Sequence, residues 1–421
     1  MNVLLINPDQ GDHIGWFPQG LAAVAAAFEA NGDHVRVVDL NATKFGIWSN
    51  PWVVPDIVVY SSCGGYWQYK KWKEFIREFR TSYRDRGVEL WVGGHMFTSH
   101  PEYWKEKYPE ITRIGMVDAE AELLGCKDLS DYPWPAYSLF DISHYRLMRM
   151  PRIGKDEYCL PILSSRGCPF KCSFCYRHEK RIRYRDMDDV VSEIKYLQRT
   201  YNISYFAFAD ELLMGSRDRA MEVAERLMCL HIKWDCNGRL NYAEPEVLHA
   251  MRKSGCVFIN YGIESFNNIV LRGMNKALTC EQIEQGVAYT LEAGISPGLN
   301  IIYGFPEDTP YTMKRNVDFL LKYDDHAQLR TIRPVTPYPG SPLFDQFNLD
   351  IEEFYEKQHL NSDLVAVNMT QMSDDELYTE LYGANLALLT QHNIKNAQRY
   401  EQQLTKLYVD RDTNFRGWRS K

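Results

Sequence analysis

Three cysteines carry the chemistry this sequence shows most plainly. Cys168, Cys172 and Cys175 stand in Ser165-Arg166-Gly167-Cys168-Pro169-Phe170-Lys171-Cys172-Ser173-Phe174-Cys175-Tyr176, a C-x3-C-x2-C spacing. Three soft thiolates on one short loop, with no fourth cysteine beside them, suit an iron–sulfur cubane that keeps one iron free of protein ligands. The alternative is a closed tetrahedral zinc site completed by His178, three residues after Cys175. Other side chains that could do chemistry sit where apolar runs end: Asp210 and Glu211 after Tyr205 to Ala209, Arg239 after Trp234 to Gly238, Glu264 and Ser265 after Val257 to Gly262, and Gly304 after Leu299 to Tyr303.

These residues need a frame, and the hydrophobic pattern supplies one. From the start, β-branched runs at Val3 to Ile6, Val35 to Leu40, Ile57 to Tyr60, Val88 to Val92 and Thr112 to Met116 alternate with helical stretches such as Gly20 to Ala30 and Trp67 to Tyr83. Such βα alternation predicts a doubly wound parallel sheet over residues 1–125. Residues 126–160, rich in Asp, Tyr and Pro, hold no sustained period and read as a linker. A second series puts strands at Pro161 to Ser165, Tyr205 to Ala209, Lys233 to Asn237, Val257 to Gly262, Leu299 to Tyr303 and Leu329 to Pro334. Five helical stretches fall between them, and right-handed crossovers would roll the six units into an open barrel over 161–345, with ligands at the carboxyl ends of the strands. Residues 346–421 read as helices rich in Gln, Glu and Lys.

Composition narrows the class. A chain of 421 residues with 45% hydrophobic and 25% charged residues has enough apolar material for two cores. A formal charge of -8 disfavours broad binding to a phosphate backbone, so nucleic acid is not the expected partner. No apolar run is long enough to span a bilayer and the first residues lack the pattern of a secretory signal, so a cytoplasmic location without membrane contact is expected. Ten cysteines are then expected to be reduced thiols and metal ligands rather than disulfides. Cys229, Cys236, Cys256 and Cys280 read as buried thiols, while Cys159, just ahead of the first barrel strand, is placed to face the cavity.

The C-x3-C-x-aromatic-C loop at the end of a first barrel strand resembles the radical S-adenosylmethionine (radical SAM) superfamily. The resemblance implies that Cys168, Cys172 and Cys175 hold a [4Fe-4S] cluster, whose free iron chelates the amino and carboxylate groups of SAM. The reduced cluster then cleaves SAM to a 5′-deoxyadenosyl radical that abstracts a substrate hydrogen. It also implies SAM contacts at Phe174, at Glu211 or Asp210, at Arg239, at Glu264 and Ser265 in the Gly262-Ile263-Glu264-Ser265 turn, and at Gly304. The segment from Asn300 to Glu307 is similar to the family's G-x-I-x-G-x-x-E pattern, with Asn300 in place of the first glycine.

With a doubly wound domain ahead of the barrel, the chain is most similar to the cobalamin-binding-domain class of that superfamily. This implies a corrinoid at the sheet's strand ends, with Gly93, Gly94 and His95 as contacts. The D-x-H-x-x-G sequence of cobalamin mutases is absent, and Asp12-His13-Ile14-Gly15 has its residue types at another spacing, so His13 reads as a loop residue. The function implied is a cobalamin-dependent methyltransferase acting on an unactivated carbon or phosphinate of a small-molecule or peptide substrate, supplied with electrons by a flavodoxin or ferredoxin. A radical cyclase, oxidase or rearrangement enzyme without methyl transfer is the alternative within the class. An iron–sulfur electron carrier or redox sensor is the alternative outside it. A methylthiotransferase is disfavoured because Cys63 and Cys126 alone in the first domain cannot hold an auxiliary cluster.

Overall fold

The structure is a computed structural model that describes residues 1–9, 15–43, 54–62, 66–83, 85–115, 118–177, 179–325, 328–356 and 364–410. His13, Cys63 and His178 lie outside these residues. The first sheet holds five parallel strands, β1 (Asn2–Asn7), β2 (His34–Asp39), β3 (Ile57–Ser61), β4 (Glu89–Gly93) and β5 (Ile111–Ile114), in the order β2-β1-β3-β4-β5. That order reverses direction between β1 and β3, the place where doubly wound sheets open a crevice beyond their carboxyl ends. Helix α1 (Gln19–Ala30) buries Ala22, Ala25, Ala26 and Phe28 against one face of the sheet. The small side chains let the helix lie close. Helix α2 (Tyr66–Tyr83) covers the other face, where Trp72 packs edge-on to Tyr60, Phe97 and Tyr108.

The second sheet has six parallel strands in the order β13-β12-β11-β10-β9-β6: β6 (Cys159–Ile162), β9 (Tyr205–Phe208), β10 (Lys233–Gly238), β11 (Cys256–Glu264), β12 (Ser296–Tyr303) and β13 (Ile332–Pro334). Between β6 and β9, β7 (Ser165–Arg166) and β8 (Arg183–Tyr184) form a two-stranded antiparallel ribbon. Helices α3 (Met187–Tyr201), α4 (Arg217–Leu227), α5 (Pro245–Lys253), α6 (Cys280–Glu292) and α7 (Pro310–Lys322) alternate with these strands. Side chains that cap their first turns include Asp186, Ser216, Thr279 and Thr309, and the last two complete capping boxes. The long α8 (Asp374–Leu404) begins at a Ser373 capping box and packs on α7 and β13. The α/β class, with a five-stranded doubly wound sheet followed by a six-stranded parallel one, is as the hydrophobic pattern predicts.

Several strand boundaries differ from expectation. The first barrel strand ends at Ile162 rather than Ser165 because Ser164 turns away: its N–H and Oγ donate to Asp210 at 2.7 and 2.6 Å. The fifth begins at Ser296, which pairs in register with Phe258 of β11, and the Pro297 carbonyl accepts from Arg330 at 2.6 Å. The sixth begins at Ile332, not Leu329, because buried Arg330 is drawn to Asp325 at 3.0 Å.

The segment 126–160 packs between the two sheets. Tyr137, Phe140 and Tyr145 ring Phe17, and Tyr145 donates to Asp39, which also accepts from Asn7 at 2.8 Å. No helix among the described residues is long and apolar enough to cross a membrane.

Candidate active site at the barrel mouth

The cysteine loop leaves β7 through Gly167, whose φ of +93° only glycine adopts easily; a Cβ there would lie 2.0 Å from the Arg181 carbonyl oxygen. The loop is tied at several points. Cys168 N–H donates to Glu179 O at 3.2 Å, Ser173 N–H donates to Met274 O at 3.0 Å, and Leu343 N–H donates to Ser173 O at 2.8 Å. Arg177 reaches back to the Phe170 carbonyl at 2.7 Å. Backbone from both ends of the barrel thus fixes the loop that carries the thiols, as a site on a rigid scaffold requires.

Cys172 is buried and Cys168 and Cys175 are half-buried. Burial raises the Cys168 thiol above its ordinary pKa and, together with its two neighbours, raises Cys175 to about 12. The thiols are close enough to feel one another's charge. Among the described residues, no three His, Cys, Asp or Glu side chains converge as the ligands of a single ion do. Three thiols on one pinned loop are the donor set of a cluster in which each sulfur binds a different iron. All nine described cysteines are free thiols.

The predicted SAM residues gather around this loop. Phe174 stands edge-on to Phe305 at 6.0 Å, with the Lys276 ammonium 5.6 Å from its ring. Glu264 sits at a break in register between β11 and β12, with φ of +64°, a conformation that costs a non-glycine residue free energy. Its Oε1 accepts from Lys276 Nζ at 2.8 Å, both side chains being buried. Gly262 makes room for the pair: a Cβ there would lie 2.2 Å from Glu264 Oε1. The Ser265 Oγ is fully buried, with no hydrogen-bond partner among the described residues. Gly304 has φ of +117°; its N–H and that of Phe305 donate to Asp308, whose carboxyl burial pushes up to about 6.

Two positions take a different part from the one expected. The Arg239 fork is committed to protein atoms: Nη2 donates to the Lys276 carbonyl, Nε to Asn241 at 3.2 Å, and Nη1 approaches Cys172 Sγ at 3.9 Å. The same guanidinium lies 3.6 Å over the Phe170 ring, so Arg239 braces the cysteine loop and lends positive charge to a thiol. Of the acidic pair after β9, Asp210 is wholly buried and accepts from Ser164 and Ser165, tying β9 to β6. Glu211, exposed, is the carboxylate that reaches the mouth.

Between the barrel mouth and the carboxyl ends of β1, β3 and β4 lies a cavity of about 760 Å³. Its walls include Phe17, Gly20, Trp91, Gly93, Gly94 and His95 from the first sheet, and Ser165, Arg166 and Glu211 from the barrel. Gly94, with φ of +88°, lets its backbone pass the β3 end, where a Cβ would lie 2.2 Å from Ser62 O. A Cβ at Gly93 would meet nothing within 4 Å, leaving that wall flat. His95 turns its Nε2 to the Pro339 carbonyl at 2.9 Å and its ring to Tyr176, 4.3 Å away. Sequence reasoning missed the charge network that closes this cavity: Asp118 pairs with both Arg166 and Arg183, Glu120 pairs with Arg166 at 2.5 Å, and Glu179 pairs with Arg183 at 2.9 Å.

Comparison with known proteins gives this geometry its relatives. Residues 162–320 match the family model "Radical SAM superfamily". An uncharacterized methyltransferase of Pyrococcus horikoshii is 30% identical over 52% of this chain and 47% of its own length. The bacteriochlorophyllide d C-12(1)-methyltransferase of Chlorobaculum tepidum is 28% identical over 60% of this chain and 54% of its own. The chain thus spans about half the length of these curated relatives. Among solved structures, the radical S-adenosylmethionine methyltransferase TsrM from Kitasatospora setae, with cobalamin and a [4Fe-4S] cluster bound, superposes with a TM-score of 0.64 at 18% identity, covering 81% of this chain and 76% of that one. The chain contains a radical SAM domain. Its two-sheet fold is shared with a cobalamin-bound member of that superfamily.

Proposed function

We propose that this protein is a cobalamin-dependent radical SAM methyltransferase acting on an unactivated carbon or phosphinate centre of a small-molecule or peptide substrate. The observation that carries the reading is the placement of the cysteine loop and the interface cavity on either side of Glu211, which lines the cavity and lies within electrostatic reach of Cys168 and Cys175. Two cofactors so placed could act on one substrate between them.

When bound, a [4Fe-4S] cluster supplies the one-electron reduction that cleaves SAM, and a corrinoid supplies a carrier for methyl. The chain's own residues hold and orient. Cys168, Cys172 and Cys175 must shed their protons to take up iron, since burial keeps Cys168 and Cys175 neutral otherwise. Arg239 steadies the loop beside Cys172. Glu264, held through Oε1 by Lys276, is the carboxylate of this turn suited to accept from the hydroxyls of a nucleoside. Phe174 and Phe305 offer an apolar wall, and Gly304 lets backbone approach a flat base. Gly93 and Gly94 form the flat floor for a corrin ring, with His95 at its border facing Pro339. Free thiols among the described residues suit a reducing cytoplasm and a flavodoxin- or ferredoxin-type electron donor.

Anaerobic reconstitution with iron, sulfide and hydroxocobalamin tests the pairing of cofactors. Corrinoid absorbance retained after desalting, with S-adenosylhomocysteine formed under reduction, is the expected outcome. A protein that holds iron yet releases all corrinoid, and whose product gains no methylene, contradicts the methyl-transfer reading.

A further inference from the structure

A row of three asparagines crosses the inner face of the barrel, and its hydrogen-bond direction is set by one backbone atom. Asn237 Nδ2 donates to the Asp210 carbonyl at 2.8 Å, Asn260 Nδ2 donates to Asn237 Oδ1 at 3.0 Å, and Asn300 Nδ2 donates to Asn260 Oδ1 at 2.8 Å. A backbone carbonyl can only accept, so the Asn237 nitrogen must face Asp210, its oxygen must face Asn260, and the same orientation passes on to Asn300. The row ends in the Asn300 carbonyl oxygen, which has no partner among the described residues and belongs to an exposed side chain. An amide whose N–H already donates is a stronger acceptor, and a chain of three adds to the effect.

The barrel is built around this row. Gly298, paired in register with Asn260, cannot carry a side chain, because a Cβ would lie 2.6 Å from Asn260 Oδ1. Leu299, Ile301 and Tyr303 point out to the helices, so Asn300 and Ile302 face inward. Arg333 is in register with Ile302 on β13 and shares its face. Its guanidinium is exposed and has no hydrogen bond or ion pair among the described residues, unlike Arg330 and Arg239 nearby in sequence or site. Strand geometry sets the Asn300 and Arg333 Cα atoms roughly 8 Å apart.

We infer that Asn300 and Arg333 form the substrate-reading patch of the barrel, selecting a substrate with an oxyanion, such as a carboxylate or phosphonate, and a hydroxyl or N–H several atoms away. The guanidinium pairs with the oxyanion in a fork, and the Asn300 carbonyl accepts from the donor. The asparagine at the first-glycine position of the strand-five motif is then a specificity device of this chain. The inference rests on the radical SAM reading only for what happens to the ligand once bound.

Fragment binding to the reconstituted protein tests it, with 4-hydroxybenzoate, benzoate, phenylphosphonate and phenol titrated by saturation-transfer NMR. Either oxyanion should bind where phenol does not, and 4-hydroxybenzoate should bind several-fold tighter than benzoate. Arg333→Gln should lose all the acids and Arg333→Lys should recover them in part. Asn300→Leu should bind benzoate as before and lose the preference for the hydroxy acid; if that variant does not fold, Asn300→Ser is held to the same criterion. The inference is overturned if neither oxyanion binds, if Arg333→Gln binds them unchanged, or if the hydroxy preference survives at position 300. Reductive SAM cleavage by the unsubstituted protein is scored separately, so a failure of the radical reading with fragment selectivity intact is told apart from the reverse.

Discussion

At the scale of single residues, the structure divides the predicted side chains into those with free chemistry and those spent on holding the site. Glu264 and Lys276 are a buried ion pair, and removing one partner strands the other charge. Glu264→Gln is therefore expected to destabilise the fold by about 3–5 kcal/mol, while Glu264→Gln combined with Lys276→Met recovers much of the loss; urea unfolding of the two single variants and the double variant measures the coupling. Asp235 gives a prediction in pH. It is buried on β10, its Oδ2 without a hydrogen-bond partner among the described residues, and burial raises it to about 7 from an ordinary value near 4. The folded state therefore binds the proton that the unfolded state has already lost, so this group's contribution makes the protein less stable as pH rises from about 4 to 7, by up to about 4 kcal/mol. Asp235→Asn should flatten that part of the stability-against-pH curve, and an unchanged slope would contradict the assignment. The cysteine loop and the Gly262 to Ser265 turn could be located in the sequence because their spacing is chemical. The occupation of Arg239 was not, since its partners Lys276 and Asn241 come from a loop folded back on it and from a neighbour two residues away.

At the scale of elements, glycines and capped turns decide where strands hand their side chains to the mouth. Gly304 is held at φ of +117° while its N–H bonds Asp308, so Gly304→Ala should cost on the order of 1–3 kcal/mol and weaken SAM binding, as thermal melting and equilibrium dialysis would show. The 3.6- and 2-residue periods located every strand named in the sequence and the helices between them. They misplaced several strand starts and ends, two of them because a buried polar side chain overrode the apolar pattern: Asp210 drew Ser164 aside, and Arg330 was drawn to Asp325. Long-range hydrogen bonds of this kind leave no periodic trace in a sequence.

At the scale of the whole molecule, the two sheets are joined through charged contacts as well as aromatic packing. Asp118 from the first sheet's side answers Arg166 and Arg183 beside the cysteine loop, all three being largely shielded from solvent. Asp118→Asn is expected to loosen this join by about 1.5–3 kcal/mol, and faster limited proteolysis within residues 126–160 would report it. The order of the domains was readable from composition and period, but the latch was not, because its members lie some fifty residues apart and meet only when the sheets dock. In the proposed function, three thiols on one pinned loop prepare a metal centre that activates SAM. Anaerobic assay of 5′-deoxyadenosine release tests it most directly, comparing the reconstituted protein with Cys168→Ala, Cys172→Ala and Cys175→Ala. The unsubstituted protein is expected to release 5′-deoxyadenosine under reduction, and none of the three variants is expected to do so above background. Continued release from a variant lacking one of the thiols, or iron-loaded protein that never cleaves SAM, would contradict it.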